Sequence, residues 1–275
     1  MTINHLFKQL SGLANSPVMP VMFIGHGTPM NVLPNNPYHD SWRDLGASLG
    51  KPQAILCVSA HWTTREQTQI ASTEAPKTIY DFYNFPAEMY QMDYPAKGAP
   101  EMAHAIADEL MPTDFHLELN NAYGLDHGTW CVIKPMFPDA DVPVFQLSIA
   151  MNREPMYHYQ LGQALRFLRR KGVLIVSSGN IVHNLRTLRF DGHQYDWALN
   201  FDEISKEKIE SRDDEALINF DQFGSAAQLS INSAEHYYPL LYTLGLREDK
   251  DDTLQFNTDI TSSLSMRSVI FSQPV

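Results

Sequence analysis

A helical pattern runs from 155 to 171 and hands over directly to the apolar run VLIVSS at 173–178. Leu161, Leu165 and Leu168 recur at i, i+4 and i+7, Pro155 suits the first turn, and Gly172 ends the helix. The same alternation recurs along the chain. Further strands are predicted at 20–25, 54–60, 67–72, 143–149 and 264–271, and further helices at 37–49, 100–110, 196–210, 213–219 and 234–244. Helix-then-strand alternation predicts an α/β fold with a central, largely parallel or mixed sheet flanked by helices. With 275 residues, 44% of them hydrophobic, the chain suffices for a full core, and no repeat or Gly/Ser linker divides it. One domain over 1–275 is expected.

Ligands of open α/β sheets gather beyond the carboxyl ends of the strands. Three histidines fall there. His26 follows PVMFIG and is flanked by Gly25 and Gly27, His61 follows AILCVSA, and His183 comes a few residues after VLIVSS. Glycines beside His26 allow close backbone approach and a positive φ. Two more histidines have suggestive settings. His127 lies in the Gly-bounded segment YGLDHGTW, and His236 lies near the start of a helix in SAEHYYPLL. His104 falls on the polar side of its helix, His5 in a terminus read as frayed, and His39, His116, His158 and His193 have no comparable setting. Convergent imidazoles without thiolates suit zinc, iron, copper or nickel. No HExxH, CxxC, GxSxG, Walker or GxGxxG pattern is present.

The stretch 73–99 is irregular, yet Tyr80, Phe82, Tyr83, Phe85 and Tyr90 fall within it. Disordered chain is poor in aromatics. A binding loop or lid over residues 80–94 is expected. The formal net charge of −12 opposes nucleic acid, whose binding relies on cations neutralising phosphates. RFLRRKG (166–172) is read as a helix end suited to the negative pole. Two cysteines, Cys57 and Cys131, do not make a disulfide scaffold. No run approaches a membrane span and the N-terminus shows no signal-peptide pattern, so a cytoplasmic location is expected.

The blocks GHGTPMNVL, SAHWTT, YDFYNFPAEMYQMDYPAKG, LDHGTWCVIKPMFPDADVPVFQLSI, SSGNIVHNLR and EHYYPLLYTLG occur in this order. Together they resemble the class III extradiol ring-cleavage dioxygenases, in particular the 4,5-DOPA dioxygenase branch. The resemblance implies one divalent metal, Fe(II) when active or Zn(II) as isolated, and insertion of both atoms of O₂ into a catechol. It matches His26, His61 and His236 to metal ligands, and His127 and His183 to an acid/base pair. Relatives outside this branch use two His and one Glu. Here Glu235 adjoins His236. Neighbours on a helix point about 100° apart, which favours His236 alone. His183 stays open as base or as fourth ligand of a zinc form. For an amino-acid catechol, Arg186 and Lys134 are candidate partners. The alternatives are a zinc hydrolase of an ester or amide and a non-enzymatic metal-binding protein.

Overall fold

Alternate residues of the middle strands face opposite cores. β1 (Val21–Gly25) sends Val21 and Phe23 to one side and Met22 and Ile24 to the other. Such period-2 division with both faces apolar is what a sheet covered on both sides demands. The computed structural model describes residues 17–274; the N-terminal stretch read above for a targeting segment, His5 included, lies outside the described residues.

The strands that follow are β2 (Ala54–Thr64), β3 (Gln69–Ala71), β4 (Glu118–Asn120), β5 (Val144–Ala150), β6 (Val173–Gly179), β7 (Asp252–Phe256), β8 (Ile260–Thr261), β9 (Leu264–Ser265) and β10 (Ser268–Ser272). The main sheet has the order β4-β3-β5-β2-β6-β1-β10-β7, and β8 pairs with β9 apart from it. The central four, β5-β2-β6-β1, are parallel. Antiparallel partners flank them: β3 beside β5, β10 beside β1, and β7 beside β10. The sheet is therefore mixed.

The helices are α1 (Pro37–Ser48), α2 (Pro100–Leu110), α3 (His127–Met136), α4 (Pro155–Ala164), α5 (Asp196–Glu210), α6 (Asp214–Ile218), α7 (Gly224–Ser230) and α8 (Tyr238–Leu246). Leu161 of α4, Phe201 of α5 and Leu240 of α8 join the core of one face. Trp42 of α1 and Trp130 of α3 join the other.

Several boundaries differ from the sequence reading. The helix expected over 155–171 stops at Ala164 and continues as a 3-10 segment, Arg166–Lys171. Leu161, Leu165 and Leu168 are all buried as expected. Arg169 does not sit at a solvated helix pole. It is buried and forms a two-pronged pair with Asp251, at 2.6 and 2.8 Å. The strand expected over 264–271 is broken, because Met266 turns to the cavity described below and Arg267 turns inward to Asp202. The helix at 234–244 begins as a 3-10 turn, Ala234–His236. Helix α3 was hidden in the sequence by Gly128 near its start and Pro135 inside it. His158 is buried, its ring stacked on Tyr238 at 4.2 Å.

Candidate active site

Chain geometry brings five histidines to one edge of the parallel strands. His26 directly follows β1, and its backbone N–H donates to the Gly179 carbonyl of β6 at 3.1 Å. Gly27 takes a φ of 63°, a left-handed conformation that glycine adopts freely. His61 lies within β2, where the register against β5 jumps between Val58 and Thr63. Such an irregularity re-aims side chains beside a site. His127 is the first residue of α3, whose N-cap Asp126 accepts from the Thr129 N–H at 3.1 Å. Asp126 also accepts from Ser59 and Gln146, at 2.6 and 2.8 Å. These bonds tie the start of α3 to β2 and β5. His236 sits in the 3-10 turn, whose carbonyl accepts from the Asn180 N–H at 2.9 Å. His183 follows β6, its N–H donating to the Ser230 carbonyl at 2.9 Å.

One nitrogen each of His26, His61 and His236 lies within 4.8 Å of the others. His183 falls in a different group, with Glu235 and His236. Its ring lies flat on that of His236, 3.5 Å away and 5° from parallel. His127 groups instead with His61 and Asp81. The rings of His61 and His127 are 3.9 Å apart.

The hydrogen bonds assign tautomers. The Ser178 hydroxyl donates its one proton to the Gly128 carbonyl at 2.5 Å. It therefore accepts from Nδ1–H of His26, 2.9 Å away. His26 Nε2 is left with a lone pair, and it faces His61 Nε2 at 3.2 Å. His61 Nδ1 lies 3.3 Å from the Asp81 carboxylate, which can only accept. The carboxylate favours the His61 tautomer with its proton on Nδ1, and two lone pairs then face each other. That is repulsive unless a cation lies between. Nitrogens bound to one ion at about 2.0–2.1 Å lie roughly 3.0–3.4 Å apart, so the pair fits a metal. His236 has the same form, with Nδ1 at 3.3 Å from Glu235 Oε1. Anchoring the far nitrogen of a ligand histidine fixes its orientation.

Burial keeps these imidazoles neutral, the form that binds metal. It pushes His61 down to about 3 and His183 to about 4. Burial, reinforced by neighbouring imidazoles, holds His26 and His236 well below the usual range. Burial opposes ionisation of Asp81, but His127 and His61 outweigh it and hold the carboxyl below its ordinary value. The Nδ1 of His127 is 3.0 Å from Asp81 Oδ1, yet its N–H points off the line and forms no proper hydrogen bond. Its backbone N–H donates to the same oxygen at 2.9 Å.

A cavity of about 520 Å³ opens over the cluster and is lined by all five histidines. Phe82, Tyr83 and Phe85 form one wall and Leu185, Leu188 and Phe190 another. Aromatic and aliphatic walls suit a flat apolar ring. The aromatic loop is split in its role. Tyr83 is 81% exposed at the rim, whereas the Tyr80 hydroxyl donates to the Met92 carbonyl at 2.6 Å and Tyr90 packs on Phe82. Lys134 is not at the cavity; its Nζ donates to the Asp93 carbonyl at 2.9 Å. Arg186 is exposed and does not line it.

Three residues that orient the histidines had not been singled out from sequence for that role: Asp81, Ser178 and Glu235 as a partner of His236. Asp81 lies inside the block YDFYNFP, and an acid amid aromatics was its one signal. Ser178 ends an apolar strand, and nothing local distinguishes it from Ser177.

The family described as the catalytic LigB subunit of aromatic ring-opening dioxygenase matches residues 16–269. A protein of Escherichia coli K12 named 4,5-DOPA dioxygenase extradiol is 42% identical, over 94% of this chain and 96% of its own length. One of the same name from Beta vulgaris is 37% identical, over 83% of this chain and 87% of its own. The crystal structure of an uncharacterized Escherichia coli K12 protein superposes with a TM-score of 0.78 at 38% identity. It covers 92% of this chain and 100% of that one. These matches set aside the hydrolase and the non-enzymatic readings. The chain belongs to the LigB family of extradiol aromatic ring-opening dioxygenases, metal-dependent enzymes that act on a small aromatic molecule with O₂.

Proposed function

We propose that this enzyme opens the ring of a catechol such as DOPA, with one divalent metal held by His26, His61 and His236. The observation that carries the ligand set is the 3.2 Å approach of His26 Nε2 and His61 Nε2, each ring anchored through Nδ1. Nitrogen donors suit Fe(II) and Zn(II) alike; we assign Fe(II) to turnover. When bound, the metal supplies acidity to the catechol hydroxyls and a site for O₂. The names of the relatives from Escherichia coli and Beta vulgaris support DOPA.

The remaining groups have separable tasks. Phe82 and Phe85 pack against one side of the ring, and Tyr83 and Phe190 at the rim limit water. His183, held neutral by burial, takes a proton from the catechol. His127, at the opposite side of the ligand cluster, would take up a proton at Nε2 and then return it at the oxygen site. The flat stack of His183 on His236 favours a base over a fourth ligand, because its nitrogens lie outside the group of three. No described helix is long and apolar enough to cross a membrane. Two free buried thiols, Cys57 and Cys131, support a cytoplasmic site of action.

The test is an anaerobic sample reconstituted with Fe(II), mixed with a catechol panel that includes DOPA, and then exposed to air. Uptake of O₂ with a new yellow product is expected. Turnover of no catechol by fully iron-loaded protein would overturn the reading.

A further inference from the structure

We propose that Asp81 is a positioning residue that sets the tautomers of two histidines at once, His61 through one carboxylate oxygen and His127 through the other. The proposal rests on the reading of His61 as a metal ligand.

Asp81 lies on the aromatic loop and reaches under the cavity. Its Oδ2 is 3.3 Å from His61 Nδ1, and its Oδ1 is 3.0 Å from His127 Nδ1. The backbone N–H of His127 donates to Oδ1 at 2.9 Å and fixes the carboxylate in that place. A carboxylate only accepts, so its negative charge favours the tautomer with the proton on Nδ1 at both rings, at His127 by proximity alone because that N–H lies off the line. Both Nε2 atoms are then released for chemistry. That of His61 meets His26 Nε2, and that of His127 is the nitrogen left to serve the cavity. Among the described residues no other nearby acid does this. Asp126 is taken up by Ser59, Gln146, Tyr123 and Thr129. Glu235 serves His236 on the far side, with Ser233 donating to it.

The placement on the loop has a consequence. Asp81 directly precedes Phe82 and Tyr83, which line the cavity. The loop is tied down just before it, where the Trp130 indole N–H donates to the Ile79 carbonyl at 3.0 Å. One residue thus joins the substrate wall, a metal ligand and a proton-handling histidine.

The test uses the zinc-loaded full chain with ¹⁵N-labelled histidines. In the unsubstituted protein, His61 and His127 are expected to show Nδ1–H; Nε2–H on either overturns the proposal, and this arm does not depend on any variant folding. Asp81→Asn offers an amide that donates as well as accepts, so it no longer enforces either tautomer. Chelator-driven zinc release should then be faster by about 10–100-fold, with the His61 and His127 signals shifted and the melting of metal-free protein retained. In the iron form kcat should fall while KM for the catechol changes little. Wild-type release and unshifted histidine signals in Asp81→Asn overturn the proposal. His61→Ala separates it from the underlying reading: full zinc content in that variant removes His61 as a ligand, and the proposal with it. Zinc loss in His61→Ala beside wild-type behaviour in Asp81→Asn refutes the role of Asp81 alone.

Discussion

Nδ1 of His26 donates to the hydroxyl of Ser178 at 2.9 Å, and Ser178 can accept because its own proton is committed to the Gly128 carbonyl. One hydroxyl thereby turns the His26 lone pair toward the cluster. Ser178→Ala should leave His26 in place sterically but free to exchange tautomers. Metal affinity should drop by about 10–100-fold, read by competition with a chromogenic chelator. Unchanged affinity would show that burial alone orients the ring.

His127→Ala should retain its metal and bind catechol, yet turn over about 10²–10⁴-fold more slowly if a proton transfer is lost. Single-turnover rates together with iron content check this. His183→Ala should slow turnover similarly without losing zinc, since its ring stacks on His236 outside the group of three. Near-normal rates in either variant would leave that histidine a structural part.

Arg169 and Asp251 form a fully buried pair, and Arg169 also donates to the Met19 and Leu246 carbonyls at 2.8 and 3.0 Å. Removing one partner strands a charge in the interior. Asp251→Ala should therefore destabilise the fold by about 3–5 kcal/mol, measured by urea unfolding of metal-free protein. A loss below about 1 kcal/mol would mean that water reaches the guanidinium.

His158 is buried against Tyr242, and burial pushes its imidazole down to about 3. The unfolded chain takes up that proton near pH 6.5, so it binds more protons than the folded chain between about pH 3 and 6.5. Stability should fall as pH falls through that window, with a contribution of about 1.4 kcal/mol per pH unit from this one group. His158→Gln removes the group. Its unfolding free energy in the metal-free state should decline less steeply from pH 6.5 to 4.5 than that of the unsubstituted protein. Parallel declines would contradict the assignment of a neutral buried His158.

Gly128 shows why side-chain convergence escapes local reading. A Cβ on this glycine would come within 2.5 Å of Ser59 Oγ and 2.9 Å of His61 Cδ2. The helix start can approach β2 only because that position is bare. In the sequence the same glycine, with Pro135, left no helical signal over α3. Asp81 and Ser178 were equally silent, because each matters only through a partner remote in the chain: His127 for one, His26 for the other.

The alternating apolar runs, readable from composition and period alone, determined the parallel centre of the sheet and the edge where His26 and His61 emerge. Strand direction is a local property, so chain order sufficed for that much. Edge strands β4 and β7 are short and carry exposed residues, and their pairing came only with the assembled sheet. The division of five histidines into a facing triad, a stacked His183 and an Asp81-linked His127 was likewise decided by tertiary structure. A tautomer depends on which acceptor lies within about 3 Å, and residues separated by tens to hundreds of positions meet at that distance only once the chain has folded.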